Sequence, residues 1–278
     1  MARDSKFETL ARSGYAARGV VYLIVGGLAL FGAIGGGGAD VGPEGALGWL
    51  LGQPFGRILL GLVGIGLAGH AAWRLVQGIA NADDQDNDAK GIAVRAGMVV
   101  SGITHTSLAL FALGAATGMG GSGGGEDGGS GLAATVLGLP FGAFLLGLAG
   151  IAVIGAGIAQ IWKGATGGYR KYLEAASREH AWITPVCALG LGARGAVLLI
   201  TGGFIVFAAI AADPEQVGSV TEALAWVRQL PFGGILYGLV ALGLFAFGLY
   251  SLIQARYRQI DAPDPAAMAR TAGRKLGV

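Results

Sequence analysis

Two arginines and two histidines lie inside long apolar segments, where ionisable side chains are costly and therefore point to function. Arg18 and Arg194 lie about one turn into two such segments, and His70 and His105 lie deeper in two others. An arginine pair of this kind can bind an anionic lipid or another anionic ligand, or can extend its guanidinium groups to the headgroup layer. The two histidines can ligate a metal ion or haem, or can occupy neutral, hydrogen-bonded packing positions.

The histidines lack the spacing that is typical of a metal site. Neither a His-x-x-His nor a Glu-x-x-His pattern includes His70 or His105, and the sequence offers no evident third ligand. We therefore predict no metal centre and no cofactor. Ligation of haem or a metal by these two histidines remains the third hypothesis for function.

Composition identifies the surroundings of these four residues. Hydrophobic residues make up 53% of the chain, 54 of its 278 residues are glycine, and only 13% are charged. That charged share is about half of what an ordinary soluble domain carries. So few charges cannot cover the surface of a soluble protein of this size, which predicts an integral membrane protein. The same composition excludes a disordered chain, a disulfide scaffold and a nucleic-acid-binding protein.

Six apolar segments are long enough to cross a bilayer as helices, because about 20 residues span the hydrocarbon core. They are residues 14–35, 55–79, 92–116, 141–164, 185–212 and 232–254. Nearly all lysines and arginines fall on the side of the N-terminus, and Arg57 and Arg228 are the two exceptions. Positively charged loops stay in the cytoplasm. We expect a multi-pass membrane protein with both termini cytoplasmic.

The six spans are three copies of one helical hairpin. The odd-numbered spans open with related phrases, and the matched dipeptides are Arg18-Gly19, Ser101-Gly102 and Arg194-Gly195. The even-numbered spans open with Pro-Phe-Gly, at residues 54–56, 140–142 and 231–233. Successive copies have the same orientation because each contains two spans. The predicted fold is all-α and integral to the membrane, with six transmembrane helices as three parallel hairpin repeats around a pseudo-threefold axis.

The predicted organisation follows from these repeats. It comprises hairpin repeat 1 at 1–80, hairpin repeat 2 at 90–165, a cytoplasmic surface helix at 166–182, hairpin repeat 3 at 185–258 and a cytoplasmic tail at 259–278. Short amphipathic helices are expected at 44–51 and 220–230, and the Gly-rich segment 118–131 is expected to be a flexible linker. In each Pro-Phe-Gly phrase we expect the proline in the first helical turn and the glycine at a close backbone approach.

This pattern resembles the bacterial "domain of unknown function 1206" membrane proteins. The resemblance rests on the tripled hairpin, the Pro-Phe-Gly phrases and the basic end at 254–258, and it covers about residues 6–258. The middle repeat departs from the pattern at Ser101. The resemblance implies a six-span inner-membrane protein built of three hairpins, and it brings no accepted activity or catalytic residues.

The sequence lacks nucleophile elbows, phosphate loops, dinucleotide fingerprints, paired cysteines and zinc signatures, so we predict a non-enzymatic protein. The leading hypothesis is a structural or accessory bundle that binds lipids or a partner protein. Anionic lipids are the expected partners of its basic cytoplasmic face. The alternative is a channel or facilitator for a small solute along the repeat axis. That alternative requires a hydrated path that reaches Arg18, His105 and Arg194.

Overall fold

The computed structural model describes residues 2–34, 42–83, 85–86, 88–119, 128–173 and 180–259. Within them, six helices are long and apolar enough to cross a membrane, and three shorter helices precede the even-numbered spans. In chain order the helices are α1 (Ala2–Ala33), α2 (Pro43–Leu51), α3 (Gly56–Ile79), α4 (Ala89–Thr117), α5 (Gly128–Leu137), α6 (Gly142–Thr166), α7 (Ile183–Ala211), α8 (Val220–Gln229) and α9 (Gly233–Tyr257). The predicted all-helical fold with six spans is confirmed. We call the side where α1 begins and α9 ends the termini side, and the side that carries α2, α5 and α8 the short-helix side.

The three repeats pack through one recurring interface, in which the even-numbered span of one repeat contacts the odd-numbered span of the next. These helix pairs are α3 with α4, α6 with α7 and α9 with α1. At matching positions in the three interfaces, the small residues that meet are Ala71 with Gly102, Gly157 with Gly195 and Gly248 with Gly19. Small residues let helix backbones approach closely, and this packing helps hold helices together in lipid.

Gly157 provides a test of this packing. A Cβ atom at Gly157 would lie 2.8 Å from the carbonyl oxygen of Gly195, so α6 and α7 would have to separate. We expect Gly157→Ala to lower the free energy of unfolding by about 1–3 kcal/mol, measured from the thermal unfolding midpoint in detergent. Gly155→Ala is the matched control, because nothing lies within 4 Å of that position and alanine favours the helix. Equal midpoints for the two variants would contradict the tight interface.

The contacts of α3 with α4 and α1, of α9 with α1 and α7, and of α7 with α6 arrange the six spans as a ring. On the short-helix side, apolar side chains fill the interior of this ring. Leu47 of α2 and Leu224 of α8 are fully buried, and they belong to one hydrophobic core with Val25, Leu60 and Leu244 of the spans. Apolar side chains burying one another in this way anchor α2 and α8 on the bundle.

The third short helix, α5, was not predicted. The sequence prediction of a linker over 118–131 is wrong at its end, because α5 begins at Gly128. Residues 120–127 lie outside the described residues. Ala133 of α5 is buried against Leu146 and Ala208, so tertiary packing outweighs the low helix propensity of the glycines. Both α2 and α5 end two residues before their Pro-Phe-Gly phrase, and this spacing was the available signal.

The Pro-Phe-Gly phrase adopts the same conformation three times, but it is not the one predicted. Each glycine is the first residue of the even-numbered helix, and each phenylalanine precedes it with φ near 60°. The proline therefore lies before the first helical turn, and its predicted position inside that turn is wrong. The expected close approach is found: a Cβ atom on Gly142 would lie 2.0 Å from the carbonyl oxygen of Val136, which only glycine avoids.

The segment predicted as a surface helix at 166–182 has a different form where it is described. A short 3₁₀ helix at Arg170–Tyr172 follows α6, and Leu173 then pairs with Arg258 beyond the end of α9. Tyr169 and Leu173 are buried, so this described part of the segment packs against the bundle on the termini side. Residues 174–179 lie outside the described residues.

Candidate functional site

The two arginines that the sequence singled out lie close together inside the ring. Arg18 is 8% exposed and donates from Nε to the Ser251 hydroxyl at 3.1 Å and from Nη2 to the Gln254 side-chain oxygen at 2.5 Å. Its guanidinium carbon lies 5.2 Å from the ring centre of Phe247, and that of Arg194 lies 4.8 Å from the same centre. Arg18 therefore points inward to α9 and not to a headgroup layer.

Arg74 is a third arginine of this site, and it was not among the site residues predicted from the sequence. It donates from Nε to the Ser101 hydroxyl at 3.3 Å, as Arg18 does to Ser251. Counted from the repeat phrases, position 74 matches position 251 and position 101 matches position 18. The arginine–serine pair is thus kept at the α3–α4 interface with its two residues exchanged between the helices. The signal was an arginine in α3 where the other even-numbered spans have Ser251 and Gln160.

The three arginines form a positive cluster that makes no direct contact with a carboxylate among the described residues, since Gln77 lies between Arg74 and Asp83. Arg18, Arg74 and Arg194 lie close enough together for their charges to repel one another. Among the described residues their hydrogen-bond acceptors are hydroxyl, amide and imidazole groups, and no ion pair includes them. Nη2 of Arg74 and both Nη atoms of Arg194 have no hydrogen-bond partner there. Unneutralised charge is costly at low dielectric, so the cluster favours binding of an anion.

His70 and His105 meet beside this cluster, with ring centres 4.7 Å apart at 66°. Nη1 of Arg18 lies 3.3 Å from Nε2 of His70, and Nδ1 of His105 donates to the Ser101 carbonyl at 2.7 Å. A cation beside Nε2 opposes a metal ion at that nitrogen. Two imidazoles that ligate one haem lie on opposite faces of the macrocycle, which rings in edge contact do not allow. The geometry supports the hydrogen-bonded packing alternative.

No group of three metal-binding side chains occurs among the described residues. The contact between the rings of His70 and His105 therefore has no third metal ligand beside it among these residues.

A hydrogen-bonded chain links the cluster to the termini side. Arg74 donates to Gln77 at 3.2 Å, Gln77 donates to Asp83 at 2.8 Å, and Arg258 donates to both carboxylate oxygens of Asp83 at 3.0 Å. The Arg258 and Asp83 side chains are only 5% and 8% exposed. Burial by itself lowers the pKa of Arg258, but Tyr15 and Asp83 outweigh burial and raise that pKa above its usual value. Arg258 therefore stays protonated, and its hydrogen bonds engage Asp83, the described carboxylate next to the cluster.

The repeats that organise this site match a known family model. The model for Domain of Unknown Function (DUF1206) matches residues 13–81, 96–167 and 189–258. The chain belongs to the DUF1206 family. Each match covers one of the three hairpins, which confirms the predicted tandem repeats. The DUF1206 match attaches no activity to the arginine cluster.

One curated relative extends this similarity over nearly the whole chain. An uncharacterised protein of Bacillus subtilis (strain 168), YxxB, is 32% identical over 256 residues, which cover 91% of this chain and 92% of the relative. No solved structure matches.

Proposed function

We propose that this DUF1206 protein is a non-enzymatic accessory protein of the membrane that binds a phosphate-bearing anion at the arginine cluster. One observation carries the proposal: three arginines share the interior of the ring and have only neutral partners among the described residues. Guanidinium groups bind phosphate through charge-assisted, often bidentate hydrogen bonds. The unoccupied nitrogens of Arg74 and Arg194 supply the donors.

The orientation of the chain supports a membrane source for this anion. With both termini cytoplasmic, as the positive-inside pattern predicts, the cluster lies toward the inner leaflet. The anionic lipids of that leaflet attract basic groups. A free phosphate compound of the cytoplasm offers the same chemistry, so the binding experiment includes both.

The axial channel receives less support. On the short-helix side, the described core is filled by aliphatic side chains that include Leu47, Leu60 and Leu224. A hydrated path would require α2 and α8 to move away from this core. Binding at the termini side requires no such movement.

Arg194→Gln is expected to weaken binding of phosphatidylglycerol to the purified protein by about tenfold or more, because a charge-assisted hydrogen bond contributes roughly 1.5–3 kcal/mol. Binding is measured by native mass spectrometry in detergent, with inorganic phosphate titrated in parallel. Arg170→Gln is the matched control, since Arg170 is exposed on the termini side and outside the cluster. Unchanged binding of both anions by a folded Arg194→Gln variant would contradict the proposed function.

A further inference from the structure

The ring of helices is open between α4 and α6, the two spans of the middle repeat. In repeat 1, α1 and α3 pack so closely that a Cβ atom on Gly66 would lie 2.5 Å from that of Ala17. The two spans of repeat 3 pack in the same way at the matching positions. In the middle repeat these positions are Val100 and Ala152, and both are exposed. Among the described residues, α4 and α6 hardly touch.

A second matched position shows the same opening. A Cβ atom on Gly14 would lie 2.5 Å from the backbone nitrogen of His70. The matching residues of the middle repeat are Gly97, which has nothing within 4 Å of its Cβ position, and Ala156, which is exposed. Two independent positions therefore show that the middle hairpin lacks the internal packing of the other two.

Side-chain size explains the opening. In α3, His70 and Trp73 are buried in the ring, and α9 has two buried aromatic side chains at the same positions. In α6 these positions are Ala156 and Ala159, and both are exposed. The space that aromatic rings fill in the other repeats is left as a groove. We call this groove the seam, lined by Gly97, Val100 and Thr104 of α4 and by Ala152, Ala156 and Ala159 of α6.

The seam lies next to the arginine cluster on both walls. On α4, Ser101 adjoins Val100 and accepts a hydrogen bond from Arg74. On α6, Lys163 lies one turn beyond Ala159 and within electrostatic range of Arg74. The positions that match Lys163 hold glutamines in the other two repeats. The seam therefore has small, apolar walls along the membrane and an added positive charge at its termini side.

We propose that the seam is the lateral opening through which an anionic phospholipid reaches the arginine cluster. This inference rests on the proposed function and names both the ligand and its route. The phosphate binds at Arg74, Arg194 and Lys163, and the acyl chains lie between α4 and α6. The lipid thereby fills the volume that aromatic side chains occupy in repeats 1 and 3.

The chemistry of the seam favours a lipid over two other occupants. A transmembrane helix of a partner fits an alanine-lined groove, because small residues favour helix packing. Such a helix brings no anion to the arginines unless it carries a carboxylate inside the bilayer, which is costly. A free phosphate ion needs no opening toward lipid. A ligand with an anionic head and apolar chains satisfies both parts of the site.

Ala156→Phe tests the seam directly, because it places in α6 the residue type found at the matching position of α9. We expect it to weaken phosphatidylglycerol binding by about tenfold or more, and to leave inorganic phosphate binding within roughly twofold of the unmodified protein. Ile158→Phe, on the exposed lipid-facing side of the same helix, is the matched control and should change neither.

Each outcome separates the two proposals. If Ala156→Phe binds the lipid normally while Arg194→Gln does not, the seam inference is overturned and the proposed function stands. If Arg194→Gln also binds normally, both are overturned. If Ala156→Phe loses the binding of inorganic phosphate together with that of the lipid, the seam inference is also overturned. The substitution would then act on the arginine cluster itself and not on the space for the acyl chains.

A second measurement keeps the side chain at position 156 small. Single cysteines are placed separately at Ala156→Cys and Ile158→Cys, both in a Cys187→Ser background, and the protein is reconstituted in nanodiscs. Replacing phosphatidylcholine by phosphatidylglycerol should slow the alkylation of the cysteine at position 156 by a small, membrane-permeant maleimide and leave the alkylation at position 158 unchanged. Equal alkylation rates of the first cysteine in both lipids overturn the inference.

Discussion

Asp83→Asn is expected to lower the free energy of unfolding by about 3–5 kcal/mol, because it leaves the buried Arg258 without its counter-charge. Both side chains are almost completely buried, and the carboxylate also accepts a hydrogen bond from Gln77. Removing one partner of a buried pair leaves the other charge desolvated and uncompensated. The thermal unfolding midpoint in detergent should therefore fall by roughly 10 °C or more.

Two further variants show whether the uncompensated charge is the cause. Asp86→Asn is the control, because Asp86 lies in the same loop and is exposed. Its unfolding midpoint should match that of the unmodified protein. The double variant Asp83→Asn/Arg258→Gln should recover part of the lost stability, since no buried charge is then left alone. A double variant no more stable than Asp83→Asn would show that packing, and not the charge pair, sets the effect.

The fold was predictable because its signals lie along the chain. Span length, the recurring Pro-Phe-Gly phrase and the arginine–glycine dipeptides required no knowledge of which helices meet. The position of the proline relative to the helix start was not predictable in this way. It depends on the turn that brings Gly142 against the carbonyl oxygen of Val136 at the end of α5, and the residue types alone do not reveal the geometry of that turn.

The candidate site was only half predictable, for a related physical reason. Arg18 and Arg194 occupy the same position of one repeat template, so the alignment of the repeats found them. Arg74 occupies a different position on the other helix of the hairpin. Its equivalence to Arg18 becomes visible only when α3 is seen to face α4 as α9 faces α1. Helix rotation about its own axis decides such pairings, and an apolar span does not reveal it.

The seam was not predictable from the sequence for the same reason, because it depends on helix rotation. Ala156 and Ala159 read as ordinary small residues of a packed helix, and small residues normally mark tight interfaces in lipid. In α6 that expectation holds for Gly157, which contacts α7. The neighbouring alanines lie on a different face and line the opening. Comparison with His70 and Trp73 of α3 is what distinguishes the two faces.

Arg74→Ser is expected to weaken phosphatidylglycerol binding by about tenfold or more, and the exchange Arg74→Ser/Ser101→Arg is expected to restore most of it. The exchanged pair reproduces the arrangement at the α1–α9 interface, where an arginine on the odd-numbered span donates to Ser251 on the even-numbered span at 3.1 Å. The guanidinium group is then again at the α3–α4 interface inside the ring, but α4 carries it instead of α3. Native mass spectrometry of the three proteins measures the effect.

The single change Ser101→Arg is the control for this exchange. It adds a fourth arginine next to Arg74 with no new anion, so repulsion and crowding should lower the unfolding midpoint instead of improving it. The exchange variant should keep the midpoint of the unmodified protein, because the number of charges in the ring is unchanged. If the exchanged protein is folded but binds lipid no better than Arg74→Ser, the arginine positions at the α3–α4 and α1–α9 interfaces are not equivalent. Lipid binding would then depend on the particular position of Arg74 on α3 and not on a threefold arrangement of guanidinium groups.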